Sequence, residues 1–193
     1  MIKQIFFIIV IMSISFLYSC SPAGILASGG ATTMVVAEGD RSLGTVVDDA
    51  TIKLNLSTKL LNSNSSLFIN INSNVLEGRV LLTGIVETQE IRIDAVRQVW
   101  EIKGVKEVIN EIQIGNKTTI KEYANDLWIN TQVKGLAAKT VGLRALSYNF
   151  ETIRGKVYIA GITSRPEQLE AILQSTKTIK GVKEIINYVI VKE

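Results

Sequence analysis

The chain has no histidine, one cysteine and two prolines in 193 residues. Without histidine, neither a Ser-His-Asp nor a Cys-His nucleophilic device can be built in the usual way. A lone cysteine, Cys20, has no partner for an intramolecular disulfide, so packing must hold the fold together. A zinc site would rest on carboxylates, and no cluster of them stands out. Lone pairs of carboxylates say nothing about glycosidase chemistry without geometry. The sequence therefore reads as a non-enzyme with no metal or cofactor. Charge is also sparse. The formal net charge is +3, and losing residues 1–19 removes only Lys3, leaving 20 basic and 18 acidic side chains, or +2. That balance is too weak for a nucleic-acid protein.

Long hydrophobic runs are equally scarce. One runs from Ile5 to Leu17, after Lys3. It is too short for a spanning helix, which needs about 20 residues, and it reads as a secretion signal. The run closes on "LYSC", which resembles the lipobox of bacterial lipoproteins, where the cysteine becomes the acylated first residue. Ser21 after it resembles outer-membrane sorting. Residues 1–19 are thus read as a signal peptide. Residues 20–40 are small and Gly-rich, and read as a lipidated flexible tether.

What the chain does have is a repeat. "IKGVKEVIN" at 102–110 returns as "IKGVKEIIN" at 179–187. An offset of 77 needs no gap from residue 49 to 114, and 16 of those 66 positions are identical. That is roughly three times chance for average composition. Asp49 falls on Asp126, Ile52 on Ile129, and Gly78, Gly84 and Gly104 on Gly155, Gly161 and Gly181. Two units follow, 41–115 and 116–193, and at this size they are expected to pack on each other.

Each unit spells the same elements. Ile52, Leu56 and Leu60 make a helical stripe, with Asp48 and Asp49 read as its cap, acids at the positive end of the dipole. Strands are predicted over Phe68–Val75 and Val80–Val86, joined by a tight turn at Glu77-Gly78. Ile91, Ala95, Val99 and Ile102 form a second helix, stopped by Gly104 as a left-handed cap, and a strand follows from Val105. The second unit repeats this. Helices are expected near 121–139 and 166–180, strands near 145–153, 156–163 and from 182, with Gly181 as the cap. The fold class is α+β, two tandem α-β-β-α-β units, each a small three-stranded mixed sheet with two helices on one face.

This order, the strands "GRVLLTG" and "GKVYIAG", and the closing "GVKEVIN" resemble the BON-domain family. Two such units behind a lipobox resemble the tandem-BON outer-membrane lipoproteins of Gram-negative bacteria, lipid-binding proteins associated with division and outer-membrane stress. "RSLGTVVDD" (41–49) and "NDLWINTQVKG" (125–135) extend the likeness. The resemblance implies a lipid-anchored periplasm-facing protein of the outer membrane. It also implies recognition of anionic phospholipid through the second domain, support of envelope integrity, and enrichment at division sites. "VGLRAL" departs from the family's more polar stretch before the second hairpin, and the 115–120 linker is short.

The candidate site comes from comparing the copies. At about 100° per residue, Ile129, Val133 and Ala137 form the core stripe of the 121–139 helix, and Trp128, Thr131, Gln132, Gly135 and Lys139 fall opposite. The first copy has Thr51, Leu54, Asn55, Thr58 and Asn62 there. Trp prefers the headgroup region of a bilayer. Lys134 and Lys139 add about 1 kcal/mol each near an anionic surface. Gly135 lets a headgroup or acyl chain approach the backbone. Two readings remain open: lipid contact, or Trp128 packed between the domains. The resemblance favours the first. The same exposed face would alternatively serve an adaptor that binds another envelope protein. Peptidoglycan binding has no supporting residue pattern. Trp100 is read as packing or domain contact.

Overall fold

The computed structural model describes residues 42–63 and 70–192; Cys20, Arg41, the tether and Phe68 lie outside them. In the first domain, α1 (Leu43–Ser63) precedes the hairpin β1 (Ile71–Leu76) and β2 (Arg79–Val86), then α2 (Gln89–Trp100) and β3 (Glu107–Ile114). The second repeats this as α3 (Ile120–Val141), β4 (Tyr148–Ile153), β5 (Lys156–Thr163), α4 (Pro166–Lys177) and β6 (Glu184–Val191), with a 3-10 helix (Gly142–Ser147) before β4. Each sheet is mixed, in the order β1-β2-β3 and β4-β5-β6. The hairpin pair is antiparallel and the pair closed by the helical crossover is parallel.

The central strands are buried on both faces, and this sets the architecture. Val80, Leu82 and Val86 point to one side of β2 and join Ile52, Leu56, Leu60, Ala95 and Val99 in a core beneath the helices. The intervening Leu81 points to the other side, where it meets Leu76 and Ala160, with Ile109 and Tyr188 packed against them. β5 divides in the same way, Val157 and Ile159 facing Ile129, Val133 and Ile172. Period-two alternation cannot leave both faces apolar unless each is covered. The two sheets therefore pack against each other, with helices outside. Polar links frame this contact: Asn72 Nδ2 donates to Glu151 (3.0 Å), Gln113 to Tyr158 (3.2 Å), and Tyr188 to Glu111, while Lys192 pairs with Glu77 at 2.5 Å. Burial first, and then the Glu111 carboxylate, push the Tyr188 hydroxyl far above the ordinary phenol range.

The repeated nine residues and the two equivalent aspartates meet at one corner of each domain. Asp49 does not cap α1. The helix begins earlier, with the Ser42 hydroxyl accepting from Thr45 N at 3.2 Å. Asp49 instead is buried and accepts from the hairpin amides of Glu77 and Gly78 at 2.8 and 2.9 Å. Asp126 grips Arg154 and Gly155 likewise, at 2.7 and 2.8 Å. Both hairpins have positive φ at their two central residues, 54° and 81° in the first and 53° and 79° in the second, the signature of a type I′ turn.

Gly104 and Gly181 do have positive φ, 97° and 94°, but they are not helix caps. α2 ends at Trp100 and α4 at Lys177. Each glycine lies further on, third in a turn closed by Val105 N to Ile102 O or Val182 N to Ile179 O, 3.2 Å each, which is the type II position that demands positive φ. The carbonyls of Gly104 and Gly181 lie 2.7 Å from where a Cβ on Gly78 or Gly155 would sit. Helix, hairpin and turn thus interlock, which is why the sequence recurs.

Candidate functional site

α3 carries the candidate residues. It starts with a capping box, in which Thr119 accepts from Glu122 N (3.2 Å) and the Glu122 carboxylate accepts from Thr119 N (2.8 Å). Backbone and hydroxyl bonds from Thr119 hold the Glu122 carboxyl below its usual range. Ile129, Val133 and Ala137 are buried against the sheet. The opposite face looks outward, and Trp128 stands on it with 47% of its surface exposed. Gln132, Thr131, Gly135 and Lys139 are exposed beside it. Thr131 turns its hydroxyl back to Leu127 O at 2.8 Å. Trp128 lines neither hollow between the domains, whose buried contact is made by the sheets.

Gly135 is the unusual member. A Cβ added there would meet nothing within 4 Å. Neither internal packing nor a special φ requires glycine, although glycine in a helix interior costs about 0.5–1 kcal/mol relative to alanine. The bare backbone is open to something outside the chain.

Lys134 does not join this group. Six residues from Trp128, it lies about 120° around the helix, and it lines a hollow between the domains with Lys53, Asn149 and Glu151. Burial raises the Glu151 carboxyl above its ordinary 4.5, and Lys134 opposes that. The outward face has a member that the sequence comparison missed: exposed Lys121, seven residues before Trp128 and so nearly in line with it. Leu143 and Leu146, 67% and 60% exposed, extend the apolar surface just past the helix. Heptad spacing signals the lysine; nothing local signals the leucines, which sit in a segment expected to be strand.

The first domain's outer layer differs. Trp100, the last residue of α2, is 53% exposed and belongs to none of the buried clusters. Val47, Leu54 and Leu61 are also exposed, seven apart along α1, and Ile93 along α2. Their counterparts in the second domain are Ala124, Thr131, Ala138 and Glu170. Among the described residues, no group of His, Cys, Asp or Glu is arranged to hold a metal, and no helix is long and apolar enough to cross a membrane.

Comparison with known proteins matches a family model described as the BON domain twice, at residues 48–116 and 125–193. An uncharacterised protein from the gshII 5′ region of Anaplasma centrale is 37% identical over 76% of this chain and 96% of its own length. The outer membrane lipoprotein DolP of Haemophilus influenzae is 28% identical over 89% of this chain and 88% of its own. A 21 kDa hemolysin of Actinobacillus pleuropneumoniae is 30% identical over 77% and 78%.

Proposed function

The chain belongs to the BON-domain family, with two copies in tandem, and from that premise we propose that it is a non-enzymatic, lipid-anchored protein of the outer membrane whose second domain docks on anionic phospholipid. The relative named as an outer membrane lipoprotein spans nearly the whole chain and supports the placement. The anchor is Cys20, outside the described residues. A single acyl chain binds a membrane marginally, whereas two or more hold it. Tethered in this way, the second domain meets the bilayer at high effective concentration, so a weak contact suffices.

The outward face of α3 carries the reading. A half-exposed indole beside a glycine that packing does not require, with Lys139 and Lys121 on the same face, suits an interface of acyl chains and anionic headgroups. The first domain's equivalent helix has Thr51 in place of the indole. In this reading, the protein supports envelope integrity and gathers where anionic lipid is enriched, including division sites. Co-sedimentation of the unacylated chain, begun at Ser21, with anionic and zwitterionic vesicles tests it. Binding should require the anionic lipid and weaken with salt. An adaptor that binds another envelope protein through the Trp128 face is the second reading. Leu143 and Leu146, exposed just past the helix, would extend such a contact, and lack of any vesicle binding would make the adaptor the better account.

A further inference from the structure

Two hollows flank the domain contact. One, of about 510 Å³, lies between the flank of α3, the edge of β4 and the first domain, and its apolar wall includes Ile85, Ile120, Tyr123, Leu127 and Ile153. The other, of about 390 Å³, opens between the domains with Lys53 and Lys134 on its rim. Asn72 and Glu151 line both, and the two hollows meet at their exposed 3.0 Å hydrogen bond. They are two chambers of one cleft, each within the range of about 300–1,000 Å³ usual for ligand sites.

The flank of α3 changes character along this cleft. Ile120, Tyr123, Leu127, Asn130 and Lys134 recur at three- and four-residue spacing, so they line one side of the helix over about 21 Å. The row runs from apolar through amide to ammonium. Ile120 and Tyr123 are 89% and 64% exposed, large apolar groups left without cover in a concave wall. Beneath them Thr152 is buried, and neither its hydroxyl nor Asn130 Oδ1 has a hydrogen-bond partner among the described residues. Buried polar atoms left unpaired are costly, and both line the apolar chamber. Lys117, on the same chamber, is engaged by Glu87 at 3.5 Å. At the far end, two ammonium groups from different domains outweigh the single carboxylate of Glu151.

We propose that this cleft binds a single-chain anionic amphiphile, a fatty acid or a lysophospholipid, with its chain along Ile120, Tyr123 and Leu127 and its head toward Lys134 and Lys53. The Thr152 hydroxyl, in the apolar chamber next along β4 from Glu151, donates to an oxygen where the chain meets the head. Asn130 Oδ1 accepts from a hydroxyl, which a lysophospholipid has and a fatty acid lacks. This site is separate from the outward Trp128 face. It holds one lipid molecule rather than a bilayer surface, and it does not depend on the docking reading.

The test uses the full chain in zwitterionic nanodiscs, with photoreactive palmitic acid in one arm and photoreactive lysophosphatidylglycerol in the other, and adducts mapped by peptide mass spectrometry. Adducts should fall on Tyr123, Leu127 or Ile153. They should drop by about tenfold in Lys134→Glu, which reverses the charge at the head, and persist in Trp128→Glu. Leu127→Arg, at a half-exposed position that leaves the fold intact, should abolish them. Labelling by one probe alone assigns the head chemistry, and labelling by both assigns the shared anionic chain. No adduct from either probe, adducts confined to the Trp128 face, or labelling indifferent to Lys134 and Leu127 would overturn the proposal.

Discussion

Removing the Asp126 carboxylate should destabilise the second domain far more than its single charge suggests. Asp126 is 8% exposed and accepts from the Arg154 and Gly155 amides at 2.7 and 2.8 Å. Hydrogen bonds to a charged group contribute about 1.5–3 kcal/mol each. Asp126→Ala deletes both and leaves two turn amides without their acceptor, so the low end of the sum, about 3 kcal/mol, is the expected loss. For a domain of this size each kcal/mol moves the melting temperature by about 4–8 °C, which predicts a fall of about 12 °C or more. Asp126→Asn keeps one acceptor and should lose about half as much. Asp49→Ala should repeat the result in the first domain, whose geometry is the same. Asp48→Ala, at an exposed neighbour, should stay within about 0.5 kcal/mol. Calorimetry of the full set, with hydrogen exchange at Gly155, reads this out. Losses below about 1 kcal/mol in both Asp→Ala variants would refute the clamp.

Gly181→Val should destabilise its domain by more than about 1 kcal/mol, since the φ of 94° suits glycine and a Cβ would lie 3.1 Å from Ile129 Cδ1; denaturant unfolding checks it. Glu151→Gln should be more stable than the parent at neutral pH. The folded-state pKa of Glu151 is raised, chiefly by burial, so its contribution to stability is full below about 4.5 and lost as pH rises through the folded value. Unfolding at pH 4 and pH 7 should show the gap only at the higher pH. Cys20→Ala should leave the protein uncleaved or soluble; an unmodified Cys20 in mass spectra of the mature parent would contradict the anchor.

Element order and core were legible because they rest on local periodicity. Ile52, Leu56 and Leu60 in one domain, and Ile129, Val133 and Ala137 in the other, are buried as their spacing requires. The turn residues Glu77-Gly78 and Arg154-Gly155 are where the hairpins turn. Much of what escaped depended on contacts distant in sequence. Asp49 resembled a helix cap because its true partners lie 28 and 29 residues away. Residues 145–147 resembled a strand, but they belong to a 3-10 helix that follows the break at Gly142, where φ is 63°. Trp100 resembled packing because large aromatics usually are buried. Lys134 was grouped with Trp128 by nearness in sequence, although six residues of helix turn it toward the other domain. The sheet-to-sheet contact and its cleft have no local signature at all; they arise from Leu81 and Ala160 meeting across the domains.

The outward face of α3 is the proposed contact of the second domain with anionic lipid. Co-sedimentation of the parent, Trp128→Glu and Thr51→Glu with anionic vesicles, run beside their thermal melts, tests it most directly. Trp128 lies away from the core, so all three should melt within a few degrees of one another. The parent and Thr51→Glu should sediment with the vesicles, and Trp128→Glu should remain in solution, because it loses the interfacial ring and gains a charge that the surface repels. A folded Trp128→Glu that still binds anionic vesicles as the parent does would contradict the claim.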